Sequence, residues 1–367
     1  MIIILTKLKV LHVCSDSNIG GAGRHLLNLY NAKPDDLDLY FLLPLYSRLS
    51  PLLLSAGANV IELSIKPDAS FVLTDVYKIA VILMATKPDI VHTHANLTAR
   101  LAAKLTGVKK IFYTRHYALP DSYTPPIKQY FNNFLCDGAI AVTPEAESVL
   151  VNMGISHKKI AVIENGVLPI KRAFNSLGIK NSLNIDPESK ILLILSRLSP
   201  EKCIHHFIEI VNKLKFSKHN ILALIVGDGP ERDNIINLIN QQRLDAKILR
   251  FLGFVYEVED ILSITDIILN TSITEAKSLS LLEAMSIGIP AIVSNVGGNP
   301  SLIKDGYNGF VVEFGDIDAY VNKIEFLLSN ESFYLSMKRH SISRFNQYYH
   351  ASKMARQIRN FYKQGEL

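Results

Sequence analysis

Between Ile267 and Asn299 the chain follows an order that leaves few folds open. Ile267-Ile268-Leu269 is a short apolar run that reads as a buried strand, opening at Asn270-Thr271-Ser272 into a loop. A helix-compatible segment follows, with Leu281, Leu282 and Met285 on one apolar stripe. Pro290 then starts a second short strand, Ala291-Ile292-Val293, and Gly297-Gly298 closes the unit. Glu275 and Glu283 therefore bracket a loop and a helix start at the carboxyl edge of a strand. Open α/β sheets take nucleotides at that edge, because helix N-termini offer free N–H groups and positive dipole ends to phosphate.

The same alternation runs through the rest of the chain. Val10 to Cys14 reads as a strand, Ser15-Asp16-Ser17-Asn18-Ile19-Gly20-Gly21-Ala22-Gly23 as the loop after it, and Leu26, Leu27, Leu29 and Tyr30 fall at helical spacing. Leu26 stands where a Gly-x-Gly-x-x-Gly fingerprint needs its last glycine, which counts against a dehydrogenase. Residues 39–43 and 59–63 read as strands and 72–85 as a helix. Asp89 to His94 is a further strand, on which His92 and His94 share a face. Those two could be metal ligands or hydrogen-bonded structural residues; no carboxylate or cysteine at ligand spacing favours a metal. Lys110 to Tyr113 ends in Thr114-Arg115-His116, and Gly138 to Val142 precedes a helix start at Thr143-Pro144-Glu145. Lys159 to Ile163 leads to Asn165-Gly166-Val167, a turn signal. Residues 169–189 are polar and unpatterned and read as a linker. The alternation restarts at Lys190 to Leu195, followed by Arg197 and Lys202 around a strand-to-helix turn, then Ile204, Phe207, Ile208, Val211 and Leu214 on a helix. Ile221 to Val226 runs into Gly227-Asp228-Gly229, where the glycines serve either a tight turn or close approach of a ligand. Beyond a last strand at Phe310 to Val312 the pattern is helical.

Composition supports two cores. The chain has 367 residues, 48% hydrophobic and 20% charged, without low-complexity tracts. A net charge of +5 suits an anionic ligand or an acidic membrane surface, but no lysine–arginine cluster is dense enough for nucleic acid. Cys14, Cys136 and Cys203 are odd in number and far apart, so neither a disulfide framework nor a Cys-x-x-Cys zinc site is expected, and a reducing cytoplasm is the expected home. Met1 to Leu5 is too short an apolar run, and lacks the leading positive charge, for a signal peptide.

Glu275, seven residues, Glu283-Ala284-Met285, then Gly288-x-Pro290 and Gly297-Gly298-Asn299, resemble the Glu-x7-Glu signature of retaining glycosyltransferase family 4. The resemblance spans nearly the whole chain and is densest from Arg197 to Gly309. It implies a GT-B α/β fold, two Rossmann-like doubly wound domains facing across a cleft: 1–168 for the acceptor, a linker at 169–189, 190–344 for the nucleotide sugar, and 345–367 packing back on the first. The implied reaction moves a sugar from a nucleotide-diphosphate donor, UDP-sugar favoured, to a hydroxyl with retention, in bacterial surface polysaccharide or glycolipid synthesis. Arg197 and Lys202 would neutralise the diphosphate, Glu283 would bind ribose hydroxyls, and Glu275 would hold a sugar hydroxyl. Backbone N–H groups of Lys277, Ser278 and Leu279 would reach sugar or phosphate, and Gly227 would keep the nucleotide's path clear. His116 would sit beside the transferred sugar, and Gly20 and Gly21 would let backbone approach sugar or acceptor, unless they are an ordinary turn. No metal or other cofactor is expected. Partners would be the donor and a glycan or lipid-linked acceptor, with peripheral contact to the inner face of a membrane. Three positions depart from the pattern: Cys203 replaces a usual glycine, Ala276-Lys277-Ser278 replaces a Gly-Phe-Gly-like run, and Ser301 replaces a usual glutamate. A non-catalytic accessory subunit and a sugar-nucleotide epimerase are the alternative readings.

Overall fold

The computed structural model describes residues 7–17, 19–94, 96–116, 124–171, 173, 175–255 and 258–364; Met1 to Leu5 and Asn18, read above, lie outside them. The chain divides into two units, Met1–Leu168 with Tyr349–Leu367, and Pro169–Tyr348.

The first unit is built on strands β1 (Leu8–Cys14), β2 (Leu37–Pro44), β3 (Asn59–Leu63), β4 (Ile90–His94), β5 (Lys110–Arg115), β6 (Gly138–Ala141) and β7 (Ile160–Val162). All pair in parallel in the order β3-β2-β1-β4-β5-β6-β7. Its crossover helices are α1 (Gly21–Ala32), α2 (Leu49–Ser55), α3 (Leu73–Thr86), α4 (Leu97–Leu105), α5 (Pro126–Phe134) and α6 (Pro144–Asn152). Central strands such as β4 are buried on both faces, which is why they read as unbroken apolar runs.

The second unit repeats the plan. Helix α7 (Ser176–Ser182) lies within the stretch that shows no pattern in the sequence. Its side-chain cap comes from Asn175, which accepts from the Gly178 amide. Strands β8 (Lys190–Leu195), β9 (Ile221–Val226), β10 (Leu249–Gly253), β11 (Ile267–Asn270), β12 (Ala291–Ser294) and β13 (Gly309–Val312) form a parallel sheet in the order β10-β9-β8-β11-β12-β13. Helices α8 (Ile204–Leu214), α9 (Arg232–Gln241), α10 (Val258–Ile264), α11 (Leu279–Ser286), α12 (Asn299–Leu302), α13 (Ile317–Ser329) and α14 (Glu331–Tyr348) complete it. In each sheet the strand order reverses once, between β1 and β4 and between β8 and β11, and such a reversal opens a crevice at the carboxyl edge.

After Tyr348 the chain rejoins the first unit as α15 (Ala351–Lys363). Val167 exchanges backbone bonds with Tyr349 and Ala351 at 3.0 and 2.9 Å. A Cβ on Gly166 would lie 2.9 Å from the His350 carbonyl, so the Asn-Gly turn is fixed by this crossing. Met354, Ala355, Ile358 and Tyr362 of α15 enter the same core as β1, β2 and α1. Arg359 and Lys363 grip Asp36, and the Arg359 hydrogen bond holds that carboxyl down at about 2.

Candidate active site

In the second unit, the loops after β8 and β11 meet at the strand-order reversal. Lys202 Nζ lies 2.7 Å from Glu275 Oε2, both side chains largely buried. The same carboxylate oxygen accepts from Asn270 Nδ2 at 3.2 Å and Ser272 Oγ at 3.4 Å. Ile273 N donates to the Glu201 carbonyl at 2.9 Å, and the Thr271 hydroxyl reaches the Lys202 and Cys203 carbonyls, each at 3.1 Å. Two segments some seventy residues apart are thus sewn together around one ion pair. A charge pair removed from water this far leaves a costly orphan when either partner is lost.

The Glu275 loop is also held from behind. Asn299 Nδ2 donates to Asn270 Oδ1 at 3.2 Å and to the Ser294 carbonyl at 3.1 Å, and the Tyr320 hydroxyl donates to the Asn270 carbonyl at 2.7 Å. Gly298 N donates to the Glu275 carbonyl at 2.9 Å. A Cβ on Gly297 would lie 2.0 Å from the Glu275 carbonyl oxygen, and one on Gly298 1.8 Å from that of Ala276. Backbone lies on backbone there, and only glycine fits. Ser278 caps α11, its hydroxyl accepting from Leu281 N at 3.4 Å, so the amides of Lys277, Ser278 and Leu279 lie at that helix start. Lys277 is buried in the loop, and Glu283 is buried one turn into α11.

Arg197 is exposed after β8, with no carboxylate paired to it among the described residues. Ser199 Oγ donates to Glu201 Oε1 at 2.5 Å. Burial pushes the Glu201 carboxyl up, but that hydroxyl, a backbone amide and Lys202 outweigh it and hold it below its ordinary value. Cys203 adopts φ 47°, a left-handed conformation that explains the usual preference for glycine and that costs cysteine about 1 kcal/mol. Ala276 is absent from the residues with positive φ, so its side chain is accommodated without strain. Gly227 has φ +140°, and a Cβ there would lie 1.8 Å from the Ser196 carbonyl oxygen. Its glycine is required by the neighbouring loop whether or not a ligand passes.

The first unit places a different chemistry at its reversal point. Cα pairing of His12 with His92, and alternation along β4, put His12, His92 and His94 on one face. His12 Nδ1 and His94 Nε2 are 3.0 Å apart, and His94 Nδ1 and His116 Nε2 are 2.9 Å apart. His92 meets Tyr362 OH through Nδ1 and Thr114 Oγ1 through Nε2, the latter at 2.7 Å. His25 of α1 binds Asn165 Oδ1 at 2.8 Å and packs edge-on to His116. Burial holds all five imidazoles below their ordinary value, to about 3 for His12 and about 4 for His25, so they are neutral at pH 7. Among the described residues, His12, His92 and His94 bring ligand atoms within 4.8 Å of one another, as do Cys203, His205 and His206. Both nitrogens of His92 are already hydrogen-bonded, so the first group is a polar core; the second lies at the start of α8, beside Lys202. Gly20 and Gly21, at the start of α1, differ from the second unit's glycines: a Cβ on either would meet nothing within 4 Å.

Lys202 and Glu275, read from the sequence as site residues, are thus in contact, and the loop carrying Lys277, Ser278 and Leu279 is fixed beside them. Sequence reading named Asn270 and Asn299 only as loop and motif positions, not as the residues that hold the loop, and missed Tyr320, which holds it with them, and His12 and His25, which join the histidine row. Asn270 ends an apolar run, the one signal that could have marked it.

Residues 19–169 match the model for Glycosyltransferase Family 4, and residues 177–344 the model for Glycosyl transferases group 1. An Escherichia coli relative, UDP-Gal:alpha-D-GlcNAc-diphosphoundecaprenol alpha-1,3-galactosyltransferase, is 30% identical over 271 residues, covering 69% of this chain and 68% of the relative. The chain belongs to glycosyltransferase family 4. Solved structures with the same fold include a glycosyltransferase from Rickettsia africae, with TM-score 0.81, 22% identity, and 97% and 98% of the two chains covered. Another is Anabaena HepE in complex with UDP and glucose, with TM-score 0.81, 19% identity, and 97% and 100% covered. The two doubly wound sheets are the paired Rossmann-like domains of the family's GT-B fold.

Proposed function

We propose that this family 4 enzyme transfers a sugar from a UDP-sugar to a hydroxyl of a lipid-linked or polysaccharide acceptor, with retention and without a metal. The Lys202–Glu275 pair at the β8/β11 reversal carries the reading. An ammonium has three N–H donors; Glu275 takes one, which leaves two for phosphate oxygens. With Arg197 and the N-terminus of α11, Lys202 offsets the charge that a departing diphosphate develops, the role a divalent ion fills elsewhere. Glu283 binds ribose hydroxyls, and the amides of Lys277, Ser278 and Leu279 take sugar or phosphate oxygens. Glu275, oriented by Asn270 and Ser272, accepts from a sugar hydroxyl. His116 is the first unit's candidate contact for sugar or acceptor, and Gly20 and Gly21 leave room for one.

In the step itself the acceptor oxygen bonds to the anomeric carbon as the bond from that carbon to the β-phosphate oxygen breaks. The acceptor's proton passes to the departing phosphate, so both arrive and leave on one face. UDP as donor base, and a diphosphate-linked lipid as acceptor class, are supported by the names of HepE's ligands and of the E. coli relative.

The test is thermal stabilisation of the purified protein by a panel of nucleoside diphosphates in EDTA. UDP at about 100 times its dissociation constant should add roughly 2.7 kcal/mol, and Lys202→Ala or Glu283→Ala should abolish it. No response to any diphosphate, or one that needs Mg²⁺, defeats the reading. The anomeric configuration of the product, read by NMR, decides retention, and epimerised donor without glycoside would mark an epimerase.

A further inference from the structure

Helices α3, α4 and α5 follow one another along one layer of the first unit, and their outward faces are apolar where a water-facing layer would be polar. On α3, Val76, Ile79 and Leu83 face the core, yet Leu73 (72% exposed), Tyr77 (75%), Val81 and Met84 face away from it. These four recur at helical spacing and form a second stripe. The acid and base on the helix, Asp75 and Lys78, are paired with each other at 2.9 Å.

α5 is inverted outright. Its buried residue is a polar one, Asn132, which accepts from Arg100 Nη2 at 3.3 Å and donates to the Met153 carbonyl at 3.0 Å. Its apolar positions, Ile127 (70%), Tyr130 (67%), Phe131 and Phe134, are i, i+3, i+4 and i+7, and all are exposed. A helix so patterned buries little of that stripe against its own unit. α4 bridges the two: it packs on α3, ends in the exposed Leu105, and sends Lys104 Nζ over the Phe134 ring at 4.8 Å.

The charge on this layer has one sign. On α3, α4, α5 and their caps the described acid is Asp75, paired to Lys78, against the exposed Lys87, Lys104 and Lys128. Exposed aromatic and aliphatic side chains on helices that also carry exposed lysines match the boundary between acyl chains and anionic headgroups, where rings sink a few ångströms and lysines stay with the phosphates. Among the described residues no helix is long and apolar enough to cross a membrane, so contact would be in the plane of the surface.

We infer that the outer faces of α3 and α5, joined by the end of α4, dock this protein on an anionic lipid bilayer. The inference rests on the lipid-linked branch of the proposed function, for which it names the surface that brings the enzyme to its acceptor.

Flotation of the full chain with vesicles tests it without substrate. Vesicles containing about a third phosphatidylglycerol should carry the protein upward, and pure phosphatidylcholine or added salt at half molar should release it. Tyr130→Glu with Phe131→Glu, and separately Tyr77→Glu, should reduce partition about tenfold with an unchanged melting temperature, since these side chains are exposed. Failure to float with anionic vesicles overturns the inference. So does sedimentation as a dimer that the same substitutions dissolve, because the face then belongs to a second copy. UDP stabilisation is measured on the same samples, so loss of docking and loss of donor binding are read independently.

Discussion

Two kinds of glycine share this molecule. Gly298 lies where a methyl group would sit 1.8 Å from the Ala276 carbonyl oxygen, whereas Gly20, with φ −89°, has open space around it. Gly298→Ala should therefore cost about 2–3 kcal/mol by forcing two loops apart, and should weaken UDP stabilisation in step. Gly20→Ala should change stability by less than about 0.5 kcal/mol, so any rise in KM must come through a ligand. Calorimetry beside steady-state kinetics separates them, and a Gly20→Ala enzyme with unaltered KM removes Gly20 from the binding surface. Sequence alone could not divide these glycines, because what excludes a Cβ on Gly298 is backbone from more than twenty residues earlier. Glu275 and Lys202 were legible because the strand-to-helix turns that carry them are local. Cys203 was legible only as a departure; its φ of 47° says why the position resists other side chains.

α15 shows how an element can be recognised before its purpose is. Its sequence is helical, but its inward residues make contacts with strands more than two hundred residues earlier. Tyr362 fills the core beside Phe112 and gives its hydroxyl to His92, a buried nitrogen with no access to water. Tyr362→Phe should cost about 1–3 kcal/mol, since the ring stays and His92 loses a partner. Urea denaturation followed by far-UV circular dichroism measures this, and a cost below about 0.5 kcal/mol would mean the hydroxyl contributes little. α7 and α5 were illegible for opposite reasons. α7 is short and polar, its identity set by the Asn175 cap; α5 carries an apolar stripe that any pattern reading turns inward, while the structure turns it out.

Over the whole molecule, the two sheets have the same winding, and the alternation of apolar runs with helical segments made that legible from one end to the other. The gathering of histidines did not show, because His12, His25, His92, His94 and His116 come from three separate elements and the loop after β5. All are held neutral by burial, below the ordinary 6.5. The unfolded chain takes up protons as pH falls through about 6.5 and the folded unit does not, so stability complete above that value is lost progressively toward pH 4. Hydrogen exchange at pH 7 and pH 5, corrected for intrinsic rates, should show the first unit losing protection before the second; the reverse order would mean the cluster does not govern acid sensitivity. The excursion of the chain through residues 169–348 before α15 has a consequence for biosynthesis. Every residue of the second unit is made before Met354, Ile358 and Tyr362, so the earliest-made sheet is the last to receive the side chains that close its core. Until α15 docks, that half of the chain presents an open apolar trough where those side chains belong.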